Sequence, residues 1–277
     1  ENRTKGMGVI GAAFGLGFIA GPAIGGILAG PDPLNADYRT PSLAAAGLSA
    51  IALTMAFFLL KESLSDEIRK RIAEMPAKNR RQQFKSALAK PGVGLLIGLS
   101  FLATFVFAGM ETTFAMWSER RMGWGPQQNG YLFAFVGILA ALVQGGLVGR
   151  LAKRFGETNL VIQGASALAL GMLLIPFTNS LATLLGAMVI VAYGFSIITP
   201  SLNSLISLQV ASSEQGGVMG VGRSATTMAR VIGPAWAGLM FSMLGMDWPY
   251  FGGAVVMTVV VLLGLRGLKS IRVPKKT

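Results

Sequence analysis

Hydrophobic residues gather into eight long runs, at roughly 7–30, 42–60, 93–117, 129–149, 158–178, 181–206, 218–243 and 248–266. Each run is near the length at which an α-helix, rising about 1.5 Å per residue, crosses about 30 Å of hydrocarbon. Backbone groups in lipid must bond within their own segment, so the pattern predicts an all-α polytopic membrane protein. The runs are joined by short polar turns, with one exception. Residues 61–91 are polar and charged, and they divide the chain into 1–60, with two spans, and 92–277, with six. Within that divider Leu64, Ile68 and Ile72 recur at helical spacing, Ser65 can cap, and Asp66 with Lys70 and Glu67 with Arg71 form i,i+4 pairs. The divider is expected to be a linker carrying a short amphipathic helix that lies on the membrane surface and ends near Pro76.

The spans also repeat. Gly17, Gly21, Pro22 and Gly26 of the first run return as Ala229, Gly233, Pro234 and Gly238 of the seventh, and Met7, Gly8, Val9 and Ala13 return in the same register as Met219, Gly220, Val221 and Ala225. Five spans lie between the two copies, so the unit of repetition is six spans, as in duplicated transporter bundles. The expectation is a twelve-span protein of which this chain carries the last eight. The partners of spans three to six would then precede residue 1, and the chain opens on Glu1 rather than Met. Small residues recur every fourth position in the first span (Ala13, Gly17, Gly21, Gly25, Ala29), the fourth (Gly137, Ala141, Gly145, Gly149) and the seventh (Ala225, Ala229, Gly233, Ala237). Such stripes let helix backbones approach closely, and they are candidate sliding contacts between two halves. Tight packing of any function gives the same spacing. Pro22 and Pro234 each remove a helical hydrogen bond and are expected to bend their spans.

Composition agrees with this class: 52% of residues are hydrophobic and only 13% charged. The net charge of +12 is a matter of topology. Arg3 and Lys5, the nine basic residues of 61–90, Arg150, Lys153 and Arg154, and the five from Arg266 onward all fall on one side, against Arg39, Arg120 and Arg121 on the other. The positive-inside rule makes the crowded side cytoplasmic, with both ends of the chain there, in a multi-pass cell membrane protein of the bacterial inner-membrane kind. Trp117, Trp124, Tyr131, Trp248 and Tyr250 cluster at the opposite ends as an aromatic belt. A nucleic-acid partner is not needed to explain the charge.

Few polar residues interrupt the spans, and those few are the candidate chemistry. Glu111 is the one acidic residue well inside a span, about 25 Å from its inner end. A carboxylate there is costly unless it is paired, protonated or wet, which makes it a candidate proton carrier loading from outside. The alternative is a structural glutamate bonded to Thr112 or Ser118. Thr104, Phe107, Glu111 and Phe114 share a face that mixes polar and aromatic groups, as a binding cavity does. In the sixth span Tyr193, Ser196, Thr199, Pro200 and Asn203 gather on one side, lining water and substrate or else bonding between helices. Gln144 and Gln163 carry the same ambiguity. Arg230 lies about 18 Å along the seventh span and must face protein or water, whereas Arg223 can snorkel to the cytoplasm. Helical side chains lean toward the N-terminus, which carries Arg230 away from Glu111 and argues against a direct pair. The chain has no histidine or cysteine, and no Gly-Lys-Ser/Thr phosphate loop, so an enzymatic reading finds no support.

The run Gly17, Gly21, Pro22, Gly25, Gly26 resembles the antiporter signature of drug:proton exporters of the major facilitator superfamily, and Arg230, Gly233 and Pro234 mark its repeat helix. Gly149, Leu151, Ala152, Arg154 and Gly156 partly match the same family's gating-loop pattern, with Lys153 where the family places aspartate. The lost acid removes the charge that would pair with the facing helix. The closest likeness is to tetracycline-type and multidrug exporters. The resemblance implies the major facilitator fold and a secondary active transporter exporting hydrophobic or cationic small molecules in exchange for protons. It implies no cofactor beyond the proton gradient, and a monomer whose partners are a small-molecule substrate and the lipid bilayer. A proton-coupled or facilitative carrier of sugars or other metabolites is the nearest alternative, and a non-transporting membrane scaffold or sensor the third.

Overall fold

A computed structural model describes residues 2–59, 88–90, 92–210 and 214–268, without the side chains of residues 2–12, 14 and 18. The linker helix expected over 64–76 lies outside the described residues. Among the described residues eight helices follow one another: α1 (Asn2–Ala29), α2 (Arg39–Leu59), α3 (Val93–Met122), α4 (Pro126–Phe155), α5 (Glu157–Phe177), α6 (Leu181–Leu208), α7 (Gln215–Met243) and α8 (Trp248–Gly267). No strand occurs among the described residues. Six of the helices, α2 to α6 and α8, are long and apolar enough to cross a membrane. The stretch Gly15–Ala29 of α1 is a shorter apolar helix. α7 spans 29 residues, but Arg223, Thr226, Thr227 and Arg230 lower its hydropathy.

Local chemistry sets the ends of these helices. Ser180 caps α6, its hydroxyl accepting from the Thr183 amide at 3.3 Å. Pro126 opens α4 at a position where no amide proton is needed. Gly123, at φ 68 and ψ 24, ends α3 in the left-handed region. Pro22 and Pro234 sit inside helices that continue through them. A further irregularity lies in α4, where Val143–Leu147 form a π-turn around Gly145 and Gly146. Residues without a side chain leave the backbone free to take the wider turn.

One core is drawn from α3 to α8, with Phe114, Trp117, Leu168, Met188, Ile198 and Met257 nearly or wholly buried. The most extensive pairs are α5 with α6 and α3 with α7. Lipid is as apolar as leucine, so these contacts rest on close van der Waals packing rather than on water exclusion. Gly164 and Gly194 face one another, and a Cβ on Gly171 would sit 2.5 Å from Val191 Cγ2. The α7 stripe is used within this bundle. A Cβ on Gly109 would lie 3.0 Å from Ala237 Cβ, and one on Gly233 would meet the Phe105 carbonyl. It therefore fixes α7 to α3 and is not the sliding contact between halves that its spacing suggests.

α1 packs on α4, and α2 packs on α1 with no side chain of its own buried. Large apolar side chains such as Phe57, 81% exposed, face outward from α2, as suits lipid or further helices. The helix ends near Lys90, Arg150–Arg154 and Arg266 are the basic ends, and those near Trp117 and Trp248 the aromatic ends. Among the described side chains, α1 and α4 meet toward the aromatic ends. There Gly125 abuts the Pro31 carbonyl, Gly130 abuts that of Pro22, Gly137 abuts Ile19, and the Gln127 amide donates to Gly30 O at 3.1 Å. Toward the basic ends Gly15 and Gly17 of α1, and Gly145 and Gly149 of α4, have nothing within 4 Å of a built Cβ.

Gly17, Gly21 and Gly25 face open space, and the contact with α4 is made through Ile19, Pro22 and Gly26, one position around the helix. The aromatic belt is also only partly a belt. Trp248 and Tyr131 are exposed, whereas Trp117 and Tyr250 are wholly buried and stack edge to face with centroids 5.8 Å apart. The Trp117 indole can be buried because its one donor is satisfied by Asp247.

Candidate functional site

Where α3, α6 and α7 diverge toward their basic ends they leave a cavity of about 490 Å³, within the size range of small-molecule sites. α3 contributes Ser100 and Thr104 one turn apart, and α6 contributes Phe195, Thr199 and Asn203. α7 contributes Arg223, Thr226, Thr227 and Arg230, a polar face at helical spacing. Leu202, Ile206 and Met219 supply apolar wall. Phe195 is held flat by Phe107 behind it, the rings lying parallel with centroids 3.8 Å apart and an angle of 8°.

Of the residues expected to line a cavity, Thr104 and Asn203 do so, and Thr199 joins them. Phe107 and Phe114 do not; both are buried core, Phe107 against Phe195 and Phe114 against Trp117 and Phe133. Tyr193 and Ser196 also lie off the wall, with the Ser196 hydroxyl buried and unpartnered among the described residues. The cavity face of α6 is set by Phe195, Thr199, Leu202, Asn203 and Ile206, and Ser196 lies at its edge, off the wall. Gln144 is exposed in the π-turn of α4 and Gln163 is half-buried in α5, neither at the cavity.

Glu111 is half-buried two turns beyond Thr104, about 10 Å toward the aromatic end, and does not line the cavity. Neither structural partner expected for it is used. Thr112 donates to the Ala108 carbonyl, and Ser118 donates to Ala115 O and to Asn129 Oδ1. Arg230 interacts with Glu111 electrostatically, yet the two form no ion pair among the described residues. α3 and α7 run parallel with Gly233 set against Phe105, so Arg230 sits nearer the level of Thr104 than that of Glu111. The lean of helical side chains adds to that offset. Arg223 departs from its expected course, since it turns to the cavity rather than only outward. The signal was present in the sequence as Arg223, Thr227 and Arg230 at i, i+4 and i+7, a polar helix face in an apolar chain.

The remaining candidates lie at the basic end of α4. Gly149 faces open space, Arg154 lies over the Phe155 ring at 5.3 Å, and Gly156 turns the chain into α5 at φ 80. Lys90 and Glu214 pair between the basic ends of α3 and α7.

Helices long and apolar enough to cross a membrane, packed through glycine contacts beside a polar cavity lined by α3, α6 and α7, define a polytopic α-helical membrane protein. The sequence comparisons place it more narrowly. The family model of the Major Facilitator Superfamily matches residues 1–221 and again 146–277, and the chain belongs to that family. It is 32% identical over 248 residues to the tetracycline resistance protein, class C, of Escherichia coli, covering 90% of this chain and 61% of that protein. It is 27% identical over 268 residues to multidrug resistance protein 2 of Bacillus subtilis (strain 168), covering 96% and 64%. The crystal structure of the human organic anion transporter MFSD10 (TETRAN) superposes with a TM-score of 0.69 at 26% identity, covering 95% of this chain and 63% of that one. The chain thus spans less than two thirds of the length of these relatives.

Proposed function

We propose that this chain belongs to a secondary active transporter that exports small amphipathic compounds in exchange for protons, by alternating access. The observation that carries the reading is the place of the α3–α6–α7 cavity, which lies toward the basic ends of its helices, while the described contacts of α1 with α4 lie toward the aromatic ends. The positive-inside rule makes the basic ends cytoplasmic, so the arrangement is one that loads cargo from the cell interior. Export needs the reverse rearrangement, for which the α4 π-turn and the bare glycines of the α1–α4 contact provide places to bend and slide.

The names of these relatives favour drug-like cargo, one tetracycline, another multiple drugs, another organic anions, and so leave its charge open. Glu111 is the candidate proton carrier, since it is the one carboxylate deep in a described span and Arg230 is near enough to sense its charge. The test is efflux of fluorescent amphipathic compounds from cells expressing the full-length protein, with and without a proton uncoupler. Uncoupler-sensitive efflux that is lost in Glu111→Gln is the expected result. Efflux indifferent to the uncoupler would remove proton exchange, and efflux unchanged in the variant would remove Glu111.

A further inference from the structure

We infer that Arg223 and Arg230 form an anion-binding subsite in the α3–α6–α7 cavity, so that the cargo is an amphipathic organic anion such as an aromatic carboxylate. The inference rests on that cavity being the substrate site proposed above, and it reverses the cationic cargo expected from the sequence.

Among the described residues, every charged side chain on the cavity wall is positive: Arg223 and Arg230 line it, and no Asp or Glu does. Neither guanidinium makes a hydrogen bond or ion pair with another described residue. Each carries five N–H donors in a fork that matches a carboxylate, and arginines within membrane-spanning helices ordinarily find a partner. The nearest candidate from the protein itself, Glu111, lies off the wall and interacts with Arg230 only through its field. A bound anion would supply the missing partner, whereas a cation would enter beside two like charges.

The rest of the wall suits an amphipathic body. Arg223 and Arg230 stand two turns apart, about 10 Å along α7, with Thr226 and Thr227 between them. Hydroxyls of Ser100 and Thr104 face them from α3. Phe195 offers a ring held rigid by its stack on Phe107, a ready platform for a planar aromatic group.

The test is equilibrium dialysis of 2-naphthoate and its uncharged isostere 2-naphthamide against the purified protein in nanodiscs of zwitterionic lipid, with empty nanodiscs subtracted. Wild type is expected to bind naphthoate about tenfold more tightly than naphthamide. Arg230→Gln and Arg223→Gln should each erase most of that preference while leaving naphthamide within about twofold, and Arg230→Lys should restore part of it. Equal binding of the two probes by wild type overturns the inference, and this arm decides even where a variant fails to fold. Variants that keep the preference overturn it too. Displacement of naphthoate by phosphatidylglycerol added to the discs would keep the subsite and name a lipid headgroup as its occupant. Absence of efflux from cells with the preference intact would defeat the transport reading alone, and efflux without the preference would defeat this one alone.

Discussion

The indole Nε1 of Trp117 donates to Oδ1 of Asp247 at 2.8 Å, tying the aromatic end of α3 to the turn between α7 and α8. The ring is wholly buried against Phe114 and Tyr250. Trp117→Phe keeps an aromatic body but strands the carboxylate of Asp247, at a cost of about 1 kcal/mol or somewhat more. Trp117→Ala opens a cavity and is expected to cost ~3–5 kcal/mol. Thermal unfolding of the purified protein should rank wild type, Phe and Ala in that order. Equal midpoints for wild type and Phe would show that the hydrogen bond contributes nothing.

Gly130 is the pivot of the α1–α4 contact, because its missing side chain is what admits the Pro22 carbonyl. Gly130→Val must push α1 away by more than an ångström, and overpacking of this kind typically costs ~1–3 kcal/mol. The core shared by α3 to α8 does not run through that contact. Efflux is therefore expected to fall at least about tenfold while the unfolding temperature of the bundle moves by only a few degrees. Full efflux in a folded Gly130→Val protein would show that closure at the aromatic end is not part of the cycle.

The number of helices, their order and the repeat were legible because each depends on a run of many apolar residues or on a register match across a whole helix. Side-chain facing was less so. The small-residue stripes of α1 and α7 look equivalent in sequence, yet Gly233 is buried on α3 while its counterpart Gly21 faces open space. Periodicity tells which residues share a face and not what that face meets. The same limit misplaced Phe107 and Phe114, whose polar neighbours on α3 suggested a cavity one turn too far toward the aromatic end. It also hid Arg223, because an arginine near a helix end can snorkel to water or turn inward with identical spacing. The π-turn of α4 left only a Gly-Gly pair as its trace.

Asp37 caps the start of α2, its carboxylate accepting from the amides of Arg39 at 2.8 Å and Thr40 at 3.1 Å and from the Thr40 hydroxyl. The Thr40 side chain first, and then the two amides, hold its pKa below the ordinary 3.8. A carboxylate lowered in the folded state contributes stability that is complete above that ordinary value and is lost as pH falls through the lower folded one. At neutral pH, Asp37→Ala should therefore speed hydrogen exchange at the Arg39 and Thr40 amides. Acidification of wild type should reproduce that fraying only below the usual carboxylate range. Exchange in wild type that quickens already near pH 5 would mean another group caps the helix.

Gly156 and Gly123 both have positive φ, but ψ separates them and so does their expected tolerance. Gly123, at φ 68 and ψ 24, occupies the left-handed helical region that asparagine visits at modest cost. Gly156, at φ 80 and ψ 152, lies in a region essentially closed to every residue with a Cβ. Nothing crowds a built Cβ at either position, so the penalty is in the backbone alone. Gly123→Asn is expected to leave the unfolding midpoint nearly unchanged, and Gly156→Asn to cost ~1–3 kcal/mol, the same as Gly156→Ala. Because Gly156 joins α4 to α5 beside Arg154, relief of that strain would come by shifting the basic end of α4. Gly156→Ala should therefore depress efflux more than an equally destabilising change inside the core, and equal depression would confine the role of Gly156 to folding.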